Sequence, residues 1–108
     1  MEQTLHFEVD GKAYDLTFTR ATVIATERMG FNIGEVVKKP ITSLTYLWRG
    51  AFLANHGTLT IAEVDELLTK VQTKGLLDAL IDLYKAPLES LFDEDNSKNL
   101  AAWTVTKR

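Results

Sequence analysis

Between Thr42 and Val71 the chain reads TSLTYLWRGAFLANHGTLTIAEVDELLTKV, and no other stretch restricts the fold as much. Leu44, Leu47, Trp48, Ala51 and Phe52 recur at the i, i+3, i+4, i+7, i+8 spacing of one helix face. Thr42 or Ser43 is placed to cap that helix, and Gly57 stands where a left-handed residue is expected to end it. Thr60 and Glu63 form the capping-box pair of a second helix, because each side chain can satisfy the other's free backbone N–H. The second stripe is Ile61, Val64, Leu67, Leu68 and Val71, with Gly75 as its stop. The link Asn55-His56-Gly57-Thr58 is short enough to force the two helices into antiparallel contact. Gly50, inside the first helix, costs about 1 kcal/mol against alanine, so a close approach by another helix is the expected reason for it.

Before this pair, Leu5, Phe7 and Val9 alternate with His6 and Glu8, and Tyr14, Leu16 and Phe18 alternate with Asp15 and Thr17. That is the period of half-buried strands. Asp10-Gly11 between them tolerates positive φ, so residues 4–18 are predicted to form a β-hairpin. Two strands alone are marginal, and the hairpin needs either helices behind it or a strand from another subunit. Thr19 or Thr22 starts a helix to Met29, with Ala21, Ile24, Ala25 and Arg28 on one face, Val23 alongside and Gly30 as its stop. Phe31, Ile33, Val36 and Val37 read as a short turn capped by Asn32 and closed by Lys38-Lys39-Pro40.

After Gly75 the apolar positions form two stripes: Leu76, Leu80, Leu83 and Pro87, then Leu77, Ile81, Tyr84, Leu88 and Leu91. One domain usually buries a single stripe about 100° wide. The wider surface implies either deeper burial or contact with another chain. Pro87 is expected to kink this helix or to start a short new one from Leu88 to Phe92. The segment Asp93-Glu94-Asp95-Asn96-Ser97-Lys98-Asn99 is polar, and Trp103 follows it in the tail, where it can fold back, dock on a neighbour or stay loose. The expected architecture is α+β, mainly α: an N-terminal hairpin on a bundle of about four to five helices, with residues 1–95 as one domain and 96–108 as a tail.

Chemistry is sparse. The 108 residues contain no cysteine, which removes thiolate metal sites and thiol nucleophiles. His6 should face solvent and His56 lies in the interhelical turn, and the spacing pairs neither with a serine or carboxylate. An enzyme would need His6, His56 and Asp82 gathered from afar. Asp93–Asn99 has alternating oxygen donors, but Lys98 replaces the turn glycine of a calcium loop and Thr104 its last carboxylate. No catalytic, metal or cofactor site is expected. The net charge of −3 gives no reason to expect nucleic acid, and Glu63, Asp65 and Glu66 at the start of the second helix of the pair would repel phosphates. From Glu63 to Asp95 nine acidic residues face three lysines, which reads as a solvated face or as steering for a basic partner. Neither a signal peptide nor a run of about 20 apolar residues is visible.

Phe7-Glu8-Val9-Asp10-Gly11-Lys12-Ala13-Tyr14-Asp15-Leu16, then Leu44–Leu53 and Leu59–Leu68, follow one another in an order that resembles the small tail assembly chaperones of long-tailed phages and prophages of Gram-positive bacteria. The likeness reaches Asp95 and leaves out the tail. It implies a non-enzymatic protein of the host cytoplasm, absent from the finished virion, that coats the tape measure protein and keeps it soluble. It also implies self-association into a homo-oligomer and, in many families, a frameshifted longer form that recruits tail tube protein. It transfers no individual functional residues. A small helical adaptor that binds an amphipathic peptide is the alternative. For either, the double-striped helix supplies the expected interface through Leu76, Leu80, Leu83, Tyr84, Leu91 and Phe92, with Trp103 from the tail; the competing expectation is that all of these are core.

Overall fold

The computed structural model describes residues 3–91 and 104–106. It is α+β and mainly α: strands β1 (Leu5–Val9) and β2 (Lys12–Leu16), helices α1 (Arg20–Met29), α2 (Pro40–His56), α3 (Ile61–Leu68) and α4 (Leu76–Leu91), and a 3-10 turn at Ile33–Glu35. The strands are antiparallel and pair Leu5 with Leu16 and Phe7 with Tyr14. Asp10 (φ 53°) and Gly11 (φ 81°) make the turn in the positive-φ conformation the dipeptide is suited to.

The hairpin lies over the helices. Phe7 stacks on Tyr14 at 5.1 Å and lies 5.4 Å from Trp48, while Trp48 and Phe52 meet edge to face at 4.9 Å. The chain leaving β2 is tied to α2 by the Thr17 N–H, which donates to the Ala51 carbonyl at 3.3 Å. Helix α2 contacts α1, α3, α4, β2 and the 3-10 turn, and so forms the axis of the molecule. Leu47, Trp48, Ala51 and Phe52 of the expected stripe are buried and Leu44 is half-buried. Trp48 satisfies its indole N–H by donating to the Val64 carbonyl at 2.7 Å, which lets a large polar-tipped ring sit fully inside.

Gly50 is where α1 crosses α2. A Cβ added there would lie 1.9 Å from Thr26 Oγ1 and 2.9 Å from Thr26 Cβ. Thr26 is wholly buried, and its hydroxyl donates to the Thr22 carbonyl of its own helix at 2.7 Å, leaving no unpaired polar group at the crossing. This changes which face of α1 is inside. Val23 and Thr26 are buried, whereas Ala21, Ile24 and Arg28 of the expected face are exposed. The expectation followed hydrophobicity; close packing selected the β-branched pair that fits against a glycine.

Several boundaries also differ from expectation. Helix α2 begins at Pro40, whose missing N–H costs nothing in a first turn, so neither Thr42 nor Ser43 caps it; Lys39 is the N-cap residue and gives no side-chain cap. Gly57 is right-handed (φ −65°), and its value is steric, since a Cβ would approach the Leu53 carbonyl oxygen to 3.0 Å. The Thr60–Glu63 capping box is present, but α3 ends at Leu68. Gly75 (φ 76°) lies just before α4. Helix α4 runs on through Pro87 as one element.

The two stripes of α4 are both explained within one chain. Leu76, Leu80, Leu83 and Tyr84 are buried, with Leu77, Ile81 and Leu88 half-buried, because α4 packs on α2 and α1 together. Tyr84 meets Phe18 and Phe31 edge to face, and its hydroxyl donates to Glu27 Oε2 at 2.6 Å. Desolvation first, and that bond second, push its pKa well above the usual tyrosine range. No helix among the described residues is long and apolar enough to cross a membrane.

Two substitutions test this packing. Gly50→Ala gains about 1 kcal/mol of helix propensity but drives a methyl into Thr26. Overpacking costs about 1–3 kcal/mol, and an approach of 1.9 Å demands helix separation. Urea denaturation should show a net loss of stability; equal or greater stability would refute the crossing. Tyr84→Phe should cost about 1 kcal/mol by removing one hydrogen bond while keeping the ring contacts.

Candidate functional site

The interface residues expected from sequence are mostly interior. Leu76, Leu80, Leu83 and Tyr84 are each less than a tenth exposed, so in this structure they form core and offer no surface to a partner. The physical reason is the second helix partner of α4, which accounts for the wide apolar arc without another chain. Leu91 is the last residue of α4, while Phe92, Trp103 and the polar segment Asp93–Asn99 lie outside the described residues.

Open apolar surface occurs elsewhere, at the α2–α3 corner. The pair is pinned near the middle of each helix by Trp48 on Val64 and by Arg49 on Asp65. Between these contacts and the short Gly57–Thr60 link, an apolar pocket of about 50 Å³ opens between the helices. Phe52 and Val64 form its buried floor. Leu59, Leu53, Ile61 and, from the end of α1, Met29 form its walls. Leu53 and Met29 are about a third exposed and Ile61 is 62% exposed. Ile61 thus departs from the expected buried stripe. It is the first residue of α3, one turn short of the Val64–Leu67 face that meets α2.

The rim is polar and hydrogen-bonded. Arg49 grips Asp65 with two bonds, Nε to Oδ1 at 2.9 Å and Nη2 to Oδ2 at 2.7 Å. The hydrogen bonding raises the Arg49 pKa and holds the Asp65 carboxyl below its usual range, in both cases against a smaller desolvation effect. Opposite, His56 closes the pocket; its Nε2 accepts the Asp15 N–H at 3.1 Å, and Asn55 Nδ2 donates to the Asp15 carbonyl at 3.1 Å. A further exposed apolar set, Ile33, Val37 and Ile41, surrounds the start of α2.

One pairing escaped the sequence analysis. His6 Nδ1 and Asp15 Oδ1 are 2.5 Å apart across the hairpin, so Asp15 bridges both histidines. The signal was available, because an Asp-Gly turn fixes a register in which His6 faces Asp15. Both side chains of that pair are more than half exposed. Among the described residues no group of three or more His, Asp or Glu is placed to hold a metal ion.

The rim pair predicts a pH effect. Because the folded pKa of Asp65 lies below its unfolded value, the pair's stabilisation is present above the unfolded carboxylate range and is lost as pH falls through the folded value. Asp65 is 39% exposed, so screening limits the effect to about 1 kcal/mol or less. Asp65→Asn should flatten the acid side of a stability–pH profile and leave the neutral-to-alkaline slope unchanged; an unaltered acid side would contradict the pairing.

Searches against curated proteins and against solved structures return no match. Residues 1–107 match a family profile described as a domain of unknown function, DUF5055. Since the match extends over nearly the whole chain, hairpin, helices and groove together, this protein belongs to the DUF5055 family.

Proposed function

We propose that this protein is a phage tail assembly chaperone. In this reading it has no catalytic role. It binds the long helical tape measure protein and keeps it soluble while tail tube subunits polymerise around it. It works as a homo-oligomer in the cytoplasm of the bacterial host and is left out of the finished virion. A frameshifted longer form would bring in tail tube protein.

The observation that carries the proposal is the groove at the α2–α3 corner: a buried Phe52–Val64 floor with exposed Leu53, Ile61 and Met29 walls. An amphipathic helix recognises such a surface by setting a leucine-sized side chain into the floor while its flanks cover the walls. A single pocket this small binds weakly. Repeated along one long client by many copies, weak contacts sum to firm attachment. A helical adaptor binding one amphipathic peptide would use the same groove. The resemblance of the hairpin, Leu44–Leu53 and Leu59–Leu68 segments to the tail chaperones favours the tape measure protein as the client.

Co-expression with the tape measure protein encoded beside it tests the proposal. The expected result is a soluble tape measure protein that co-purifies with this chain. The paired change Leu53→Asp and Ile61→Asp should abolish co-purification while the helical circular dichroism signal is retained, since both residues are at least a third exposed. A tape measure protein that stays insoluble beside the unaltered chain would refute the function. Undiminished capture by the paired variant would refute the groove.

A further inference from the structure

The two edges of the hairpin are treated differently. The outer edge of β2 is bonded to the end of α2. His56 Nε2 accepts the Asp15 N–H at 3.1 Å, Asn55 Nδ2 donates to the Asp15 carbonyl at 3.1 Å, and just past the strand the Thr17 N–H donates to the Ala51 carbonyl at 3.3 Å. These bonds also fix the parity of the ladder. Asp15 turns its backbone groups away from β1, so Asp15 and its opposite number His6 are a non-hydrogen-bonded pair. The alternation then makes Phe7–Tyr14 a bonded pair and leaves the N–H and C=O of His6 and Glu8 pointing off the outer edge of β1. Among the described residues no backbone bond reaches that edge. An edge of this kind is a template for another strand.

The side chains on this edge select the strand. Leu5, Phe7 and Val9 face the helices and are half-buried, while His6 and Glu8 face solvent. Two like charges there would repel a second copy. One basic and one acidic residue, two positions apart, instead complement an inverted copy of themselves.

We propose that β1 pairs antiparallel with β1 of a second copy about a two-fold axis at Phe7, making one four-stranded sheet. In this register His6 lies opposite Glu8 of the second copy, and Glu8 opposite its His6. Both are the residues whose backbone groups are free, so each pair exchanges two main-chain bonds. The two Phe7 rings meet at the axis, and Leu5 of each copy meets Val9 of the other. A shift that set Glu8 against Glu8 would oppose two carboxylates. The contact is isologous and closed, so it stops at two copies. It rests on the proposed function only in supplying a contact for the homo-oligomer, and it makes no use of the α2–α3 groove. Co-purification of the tape measure protein reads the groove; the experiment below reads the edge.

Sedimentation velocity of the full chain over a range of concentrations should show a monomer–dimer equilibrium. A mixture of carbon-13-labelled and unlabelled chains should give an isotope-filtered NOE between the Phe7 Hα protons of the two copies, and the His6 and Glu8 amides should exchange more slowly as concentration rises. Glu8→Pro removes an N–H that the hairpin itself does not use and should give a monomer with the helical circular dichroism signal retained. Should that variant lose its helical signal, Glu8→Lys decides: it should raise the dimer dissociation constant several-fold. A monomer at every concentration would overturn the proposal, as would a dimer with fast-exchanging His6 and Glu8 amides or one that is undiminished in both variants. An NOE joining His6 to His6 in place of Phe7 to Phe7 would overturn the register. Protection of these amides only when the tape measure protein is present would give the edge to a client strand and overturn the second copy as its occupant.

Discussion

The close crossing of α1 over α2 at Gly50 sets the dimensions of everything else. With no side chain on Gly50 and a self-satisfied hydroxyl on Thr26, two helix backbones meet at a point that any larger residue would force apart. This brings α1 near enough for α4 to touch it and α2 at once, and so for Tyr84 to reach Glu27. It also turns the more apolar side of α1, including Ile24, toward solvent. Burial energy favours Ile24 inside, at roughly 1.5–3 kcal/mol for a full side chain. The dense contact among α1, α2 and α4 wins because a misfit at the crossing would loosen three helices, not one.

The core follows from that axis. Trp48, Phe52 and Leu47 on α2 fill the space under the hairpin, and α3 is fixed by a hydrogen bond and an ion pair at its middle. Its first turn, after the Gly57–Thr60 link, carries the capping box. The open pocket lies beside that turn, between a polar rim and an exposed Ile61.

Local signals in the chain were sufficient for the hairpin, its Asp10-Gly11 turn, the buried stripe of α2 and the Thr60–Glu63 box, since each depends on neighbours in sequence. Gly50 was legible as a close approach, though its partner was not, because nothing in α1 marks Thr26 above Ile24. The start of α2 was misplaced by treating Pro40 as a stop, when proline at a first helical position is equally a start. The candidate surface was misplaced for a similar reason. A double apolar stripe on α4 says that two surfaces are covered, and periodicity cannot say whether the second cover belongs to the same chain. The groove was invisible because its walls come from three separate helices, and each wall residue alone looks like part of a core stripe.

The central claim is that an amphipathic helix of the tape measure protein docks between α2 and α3. Methyl and amide NMR of the isotope-labelled chain, titrated with a peptide from a helical part of that protein, addresses it most directly. The account predicts saturable shifts centred on Met29, Leu53 and Ile61, with the Leu80 and Leu83 methyls of α4 little changed. Shifts confined to other faces of the molecule, or no saturable change at all, would contradict it.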